Sequence, residues 1–206
     1  MRNDKKERIL SILINKYNIL KEGKTTRYKI AKLSGCSPSW VYMFMEELRK
    51  KELIVNNNLK YKELFEYWLS IHKQLKFREY MLKNPLDIFE ETKMEYALTT
   101  YMAENMLQSY LFPLRYDFYI KSQDLEKWHS MLSGKGFYGK GNVRILISED
   151  DFVFYDKFPF KFQENKKPIF ITSIPQVIID LLAEDGPAKE AGYMLIKRTY
   201  ENVREV

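Results

Sequence analysis

The stretch Tyr28-Lys-Ile-Ala-Lys-Leu-Ser-Gly35-Cys-Ser-Pro38-Ser-Trp-Val41 predicts two short helices joined by a tight turn. Gly35 stands where a left-handed residue would end the first helix. Ser37 is placed to cap the next helix, and Pro38 suits its first turn because proline has no N–H to satisfy there. Together with Ala31 and Leu48, this order is typical of a helix-turn-helix.

The flanking sequence extends this motif on both sides. Apolar residues between positions 4 and 20 recur every three or four residues, which predicts an amphipathic helix. After the third helix, two short runs surround Asn56-Asn57-Asn58, and asparagine tolerates the positive φ of a hairpin turn. We therefore predict a winged helix-turn-helix over residues 1–62. The alternative is a three-helix packing unit that only mimics the pattern.

The third helix carries the candidate DNA-binding side chains. If its N-terminal part enters a major groove, its outward residues meet the bases, and basic residues around it meet phosphates. The predicted base-side residues are Ser37, Ser39, Trp40, Tyr42 and Met43, and the predicted phosphate-side residues are Arg27, Lys29, Lys32, Arg49, Lys50, Lys60 and Lys62. Trp40 and Tyr42 have an alternative role in packing on the wing or at a dimer interface.

Charge is divided unevenly along the chain. Residues 1–80 hold 18 Lys/Arg and 9 Asp/Glu, whereas residues 81–206 hold 16 and 19. A basic first segment before a mildly acidic second one is expected when only the first meets a polyanion. The 45% hydrophobic content excludes a disordered tail, and a single cysteine excludes an internal disulfide. We expect a cytoplasmic protein without a membrane segment.

The remaining sequence predicts a helix and then a second domain. Residues 63–84 lack proline and glycine up to Asn84-Pro85 and space their apolar residues helically, so we predict a connecting helix there. Residues 85–206 alternate strand-like and helix-like runs, which predicts an α/β domain. Among its runs, 151–155 is predicted as a strand and 188–203 as a helix. The expected fold class is α+β.

Several patterns in the sequence resemble sites of chemistry. The run from Gly134 to Asn142 contains four glycines and two lysines, but it lacks the Walker order, so a flexible helix-to-strand connection is favoured over a phosphate loop. Carboxylates near Asp151 fit a solvated strand edge better than a metal site. Asp180 is expected on the polar face of its helix. We predict no catalytic residue, no metal and no cofactor.

Several short motifs give the second domain a resemblance to a known family. They are Glu95-Tyr-Ala-Leu-Thr-Thr-Tyr-Met-Ala, Phe118-Tyr-Ile, Gly141-Asn-Val-Arg-Ile-Leu, Asp151-Phe-Val-Phe, Ile171-Thr-Ser-Ile-Pro-Gln-Val-Ile-Ile-Asp-Leu-Leu, Gly186 and Glu190-Ala. With the predicted winged helix in front, the chain resembles the AbiEi family of type IV toxin–antitoxin antitoxins. It departs from the family pattern after Gly186, where Pro187-Ala188 replaces an arginine-glycine pair.

The resemblance implies a function for each domain. In that family the winged helix binds operator DNA and represses its own operon, and the C-terminal domain counteracts a nucleotidyltransferase toxin. It implies a C-terminal functional surface at Phe137, Asn142, Asp180 and Lys189. We therefore predict a transcriptional regulator that binds double-stranded DNA as a homodimer and is not an enzyme. The alternatives are a nucleotidyltransferase-like enzyme, since the second domain could share that α/β form, and an RNA-binding or protein-docking adaptor.

Overall fold

Helices and a short hairpin form the N-terminal part of the chain. The computed structural model describes residues 3–22, 27–56, 58–161 and 167–201, with side chains described only for residues 4–15 of the first range. The elements in order are α1 (Asn3–Glu22), α2 (Arg27–Ser34), α3 (Pro38–Lys50), β1 (Ile54–Val55), β2 (Asn58–Leu59) and α4 (Tyr61–Ile71).

These elements begin and end where local chemistry requires. Gly35 has φ +64°, and the N–H of Cys36 donates to the carbonyl of Ala31, which closes α2. The Ser37 hydroxyl caps α3 by accepting the N–H of Trp40 at 3.3 Å. In the hairpin, Ile54 pairs with Leu59, and Asn56 has φ +49°. Asn57, also predicted in this turn, lies outside the described residues.

The predicted connecting helix over residues 63–84 is wrong. Helix α4 ends at Ile71, and Phe77–Leu82 is a strand, β3, hydrogen-bonded on both sides. The absence of proline and glycine permits a helix but does not require one. Aromatic residues at Phe77 and Tyr80 suit a strand, and pairing with two neighbours decides the conformation.

Strands and helices alternate from β3 onward. The elements are α5 (Asp87–Glu91), β4 (Ala97–Thr99), α6 (Thr100–Gln108), β5 (Tyr116–Lys121), α7 (Leu125–Ser133), β6 (Gly136–Tyr138), β7 (Val143–Ser148), β8 (Phe158–Phe160), β9 (Ile169–Ile171), α8 (Ile174–Ala183) and α9 (Pro187–Ile196). The protein is therefore of mixed α+β class, as predicted.

Seven of the described strands form one mixed sheet in the order β6-β3-β7-β5-β4-β9-β8. The pairs β5–β7 and β4–β9 are parallel, and the other neighbours are antiparallel. On one face, which we call the α7 face, Phe118 of β5 packs against Trp128 of α7. On the opposite face, which we call the α8 face, Tyr119 of β5 contacts Asp180 of α8. Helices thus cover the central strands on both sides.

Three further segments differ from the predictions. Residues Asp151–Phe154 form a single 3₁₀ turn instead of a strand, because the Asp150 carboxylate accepts the N–H of Phe152 and caps the turn. The segment 134–142 contains strand β6 instead of a flexible connection. The predicted helix over 188–203 is α9 followed by a π-helical turn at Lys197–Glu201, and residues beyond 201 lie outside the described part.

Contacts divide the chain into two compact units. The terminal unit comprises Met1–Lys73 with Tyr193–Val206, and the sheet unit comprises Gln74–Gly192. The predicted boundary near residue 84 thus lies inside the sheet unit. The chain also returns to the terminal unit at its end, where the ring of Tyr200 stacks on Tyr61 with centroids 4.7 Å apart.

Candidate nucleic-acid interface

The exposed side of α3 carries most of the predicted base-side residues. Val41, Phe44, Met45 and Leu48 are buried on its inner side. Ser37, at the N-cap, and Ser39, Tyr42 and Met43, on the outer side, are exposed. The positions 39, 42, 43 and 46 recur every three or four residues, so they form one stripe along the helix. This stripe is narrow, apolar in part and accessible.

Trp40 differs from the other four base-side residues. Its ring is half-buried, and Lys5 Nζ of α1 lies 5.4 Å from the ring centroid. This is a cation–π distance, so Trp40 helps to join α3 to α1. The observation favours a packing role for Trp40.

Tyr42 joins the predicted base-side and phosphate-side groups. The Arg27 guanidinium lies 4.3 Å from the centroid of the Tyr42 ring, across the α2–α3 turn. Guanidinium groups stack on aromatic faces while their edges stay free to donate hydrogen bonds. Arg27 is therefore held beside the exposed stripe with donors still available.

Of the other predicted phosphate-side residues, five are exposed and one is half-buried. Lys29 and Lys32 are exposed on α2, Lys50 is exposed at the end of α3, and Lys60 is exposed just before α4. Lys62 is exposed on α4, where its Nζ lies 5.6 Å from the ring of Tyr193. Arg49 is half-buried, and its Nη1 donates to Glu46 Oε1 at 2.5 Å. The Arg49 guanidinium thus forms an ion pair within α3.

Glu46 is a candidate that the sequence analysis did not identify. It lies on the same stripe as Tyr42 and Met43, one turn further along α3. A carboxylate repels phosphates, but it accepts hydrogen bonds from the amino group of cytosine in the major groove. Its position three residues before Arg49 was a usable signal, because such pairs meet on one helix face.

A polar network holds the inner side of α3. Lys6 Nζ of α1 donates to Glu47 Oε2 at 2.9 Å and to the Tyr67 hydroxyl of α4 at 3.1 Å. The Tyr67 hydroxyl in turn donates to Glu47 Oε1 at 2.9 Å. Burial alone would lower the pKa of Lys6, but these hydrogen bonds raise it above its usual value. Burial alone would raise the pKa of Glu47, but the hydrogen bonds from Lys6 and Tyr67 lower it below its usual value. Three helices are thus fixed around one ion pair.

The four residues predicted as a C-terminal functional surface do not form one surface. Phe137 is exposed on β6, at one edge of the sheet, and Lys189 is exposed on α9. Asn142 binds the backbone of β3, because its Nδ2 donates to the carbonyl of Leu82 and its Oδ1 accepts the N–H of Leu82, both at 2.9 Å. Asn142 therefore serves the sheet structure.

The prediction that Asp180 lies on a polar face is wrong. All side chains of α8 from Pro175 to Leu182 are buried, so this helix has no outward stripe there. Asp180 accepts hydrogen bonds from Thr99 Oγ1 at 2.5 Å, from the Tyr119 hydroxyl at 2.6 Å and from Gln176 Nε2 at 2.8 Å. These bonds compensate the cost of burying a carboxylate.

A second buried carboxylate, Asp117, lies next to this network. Asp117 Oδ1 accepts from Arg115 Nε at 2.6 Å and from Arg144 Nε at 3.1 Å, and Oδ2 accepts from the Thr100 hydroxyl. The Nη2 of each arginine also donates to Glu184 Oε1. Burial alone would raise the pKa of Glu184, but the two guanidinium groups lower it. The arrangement balances two cations with two anions and leaves no vacant carboxylate pair.

The alternation of Arg115 and Asp117 on a strand was a sequence signal that these side chains share a face. The sequence alone could not predict that Arg144 and Glu184 join this pair, because only the pairing of β5 with β7 and the position of α8 bring them close. Among the described residues, no three His, Cys, Asp or Glu side chains are grouped as metal ligands would be.

Comparison with known protein families, with curated proteins and with solved structures finds no match. The AbiEi-like resemblance therefore stays a prediction. In the part of the chain that the structure describes, no helix has the length and apolar character needed to cross a bilayer.

Proposed function

We propose that the terminal unit is a winged helix-turn-helix that binds duplex DNA, with α3 in the major groove. The observation that carries this proposal is the exposed stripe of α3, with the Arg27 guanidinium stacked on Tyr42 and with exposed lysines, Lys29 and Lys32, on the preceding helix. The order of three helices followed by a short antiparallel hairpin supports it. The charge also supports it, because the terminal unit holds 19 Lys/Arg and 10 Asp/Glu, whereas the sheet unit holds 15 and 18.

The proposed contacts divide into two classes. Lys29, Lys32, Lys50 and Lys60 bind phosphates and set the position of α3 without reading sequence. Ser39, Tyr42, Met43 and Glu46 meet base edges, so they determine which sequence is preferred. Arg27 stacks on Tyr42 and couples the two classes.

We infer that the sheet unit regulates this DNA binding without catalysing a reaction, in the manner of an AbiEi-type antitoxin. Its best-placed carboxylates, Asp117 and Glu184, accept hydrogen bonds from Arg115 and Arg144. A nucleotidyltransferase needs carboxylates free to bind magnesium ions, so this pairing favours a regulatory role. A nucleotidyltransferase toxin remains the proposed protein partner.

The test is binding of the full chain to a labelled duplex of random sequence at several salt concentrations. We expect Lys32→Ala with Lys60→Ala to weaken binding to all duplexes. The slope of log affinity against log salt should fall by about 0.9 for each lost phosphate contact. The matched control is Lys93→Ala with Lys127→Ala, which removes the same charge from exposed positions of the sheet unit.

Selection of preferred duplexes from a random pool tests the base-side assignment. Ser39→Ala should change the preferred sequence and leave the salt slope unchanged. Equal losses from the two lysine pairs, or an unchanged preference in both Ser39→Ala and Met43→Ala, would contradict this docking face.

A further inference from the structure

Glu46 is an isolated charge on the exposed stripe of α3. Residues 37–46 hold no lysine and no arginine, and Glu46 is their only charged residue. Its side chain is 38% exposed, at the end of the stripe that begins with Ser39. A carboxylate repels phosphates, so it lowers the affinity of this surface for any nucleic acid. Its presence there is explained better by selectivity than by affinity.

The spacing of the stripe brings Glu46 to the same groove as the residues before it. Positions 39, 42, 43 and 46 follow the order i, i+3, i+4 and i+7, with which a recognition helix in the major groove contacts bases. Residues at these spacings share one face of a helix. Glu46 therefore meets a base edge in the same docked position of α3 that brings Ser39 to the bases.

Two cations on α3 offset the charge of Glu46. Arg49 Nη1 donates to Glu46 Oε1 at 2.5 Å. Lys50, four residues after Glu46, is exposed on the same side of the helix. Both cations reduce the repulsion between the carboxylate and phosphates beside the groove. A carboxylate has about four acceptor positions, so the bond from Arg49 fixes its direction and leaves capacity to accept from a base.

The hydrogen-bonding pattern of the bases makes cytosine the best partner for this carboxylate. In the major groove, only cytosine N4 and adenine N6 offer N–H donors. Adenine presents its N7 acceptor beside N6, and this repels the second carboxylate oxygen. Guanine and thymine present acceptors alone. Cytosine offers the amino group without an acceptor of its own on that edge.

We propose that Glu46 selects a cytosine in the bound duplex by accepting a hydrogen bond from its amino group, and that Arg49 positions the carboxylate. This inference rests on the proposed duplex binding and names the base that the α3 face prefers. Any other base places an acceptor against the carboxylate, so the wrong sequence is rejected by repulsion as well as by a lost hydrogen bond.

The test compares the duplexes that the full chain and its Glu46→Gln variant select from a random pool. A glutamine amide matches adenine N6 and N7. We therefore expect the preferred base to change from cytosine to adenine at one base pair of each half-site, with the other positions unchanged. Among four duplexes that differ only at that pair, the relative affinity for cytosine over adenine should fall about fivefold or more.

The matched control is Glu63→Gln, which removes the same charge from an exposed position on α4. It should select the same sequence as the unmodified chain. Glu46→Ala should lose discrimination at the same base pair and keep it elsewhere. Arg49→Ala should reduce the cytosine preference at that pair, because the carboxylate is no longer held. A residue that only stabilised α3 would not change the preferred base. Thermal melts should show that all four variants fold.

An unchanged preference in Glu46→Gln, or the same change in Glu63→Gln, would overturn the inference. Changes spread over many base pairs would also overturn it, because they would show altered docking of α3. An unchanged cytosine preference in Arg49→Ala would overturn the positioning role of Arg49. Absence of duplex binding by the full chain would overturn this inference together with the proposed function, whereas salt-dependent binding without a preference for cytosine would overturn this inference alone.

Discussion

Thr100 adopts a conformation that β-branched residues rarely accept. Its φ is +46°, and its hydroxyl donates to the buried Asp117 carboxylate. Such a backbone costs about 1–3 kcal/mol unless its surroundings hold it in place. The neighbouring Thr99 donates to Asp180. Two consecutive threonines therefore connect the start of α6 to the buried carboxylates of Asp117 and Asp180, which explains why this strained turn is kept.

Replacing Asp117 tests how strongly this cluster stabilises the fold. Asp117→Ala would leave Arg115 and Arg144 with Glu184 as their shared partner. We expect a loss of about 3–5 kcal/mol in the free energy of unfolding, because a broken buried pair leaves a charge uncompensated. Urea denaturation measures this change in the free energy of unfolding. Asp151→Ala is the control, since its carboxylate is exposed and meets Lys121 at 3.2 Å on the surface. A similar shift in the two variants would show that Asp117 has no special role.

At the scale of elements, β3 and β6 depend on each other. Strand β6 is only three residues long and pairs only with β3 among the described strands. Isolated strand pairs of this length have little stability in water. Gly136 and Gly141 allow the segment to lie directly on the β3 backbone.

Gly136→Ala and Gly141→Ala should therefore detach this edge. A Cβ at either position would lie 2.1 or 2.2 Å from a β3 carbonyl oxygen, so the strands must separate. We expect a loss of about 1–3 kcal/mol in the free energy of unfolding and faster hydrogen exchange at the β6 amides. Gly134→Ala is the matched control, because its Cβ would lie 3.4 Å from its nearest neighbour. Unchanged exchange in Gly136→Ala would contradict the tight pairing.

At the scale of the whole molecule, the proposed DNA binding raises the question of assembly. One recognition helix contacts only a few base pairs, so specific binding calls for two copies on half-sites about 34 Å apart. The amphipathic pattern of the sequence predicts the dimer contact on α1 or on a helix expected over residues 62–83. The second cannot act as one continuous surface, because α4 ends at Ile71 and β3 begins at Phe77. Helices α1 and α4 remain the candidates.

We expect light scattering to show two chains on a duplex with two half-sites. Shifting one half-site by five base pairs should weaken binding, because it places that half-site on the opposite side of the duplex. The control is a shift by a full turn of the duplex. This returns the half-site to the same side of the DNA but changes its distance from the other half-site. A single chain bound to every duplex would rule out the dimer.

Local sequence determined the elements whose ends depend on neighbouring residues. Ser37 and Pro38 start α3, Gly35 ends α2, and Asn56 takes up a positive φ in the hairpin, since capping and turn formation involve atoms within a few residues. The strands at 116–121 and 143–148 were predictable because apolar alternation is also local. The exposed stripe of α3 followed from helical periodicity.

Only the tertiary structure decided the features that depend on distant pairing. Residues 77–82 became a strand because β6 and β7 lie beside them, and Asp180 became buried because β4 and β5 surround that face of α8. Arg144 and Glu184 are 40 residues apart in sequence. Met81 and Phe137 likewise become neighbours only when β3 and β6 pair. Hydrogen bonds and charges between distant segments act in space, and no periodicity within a single segment records them.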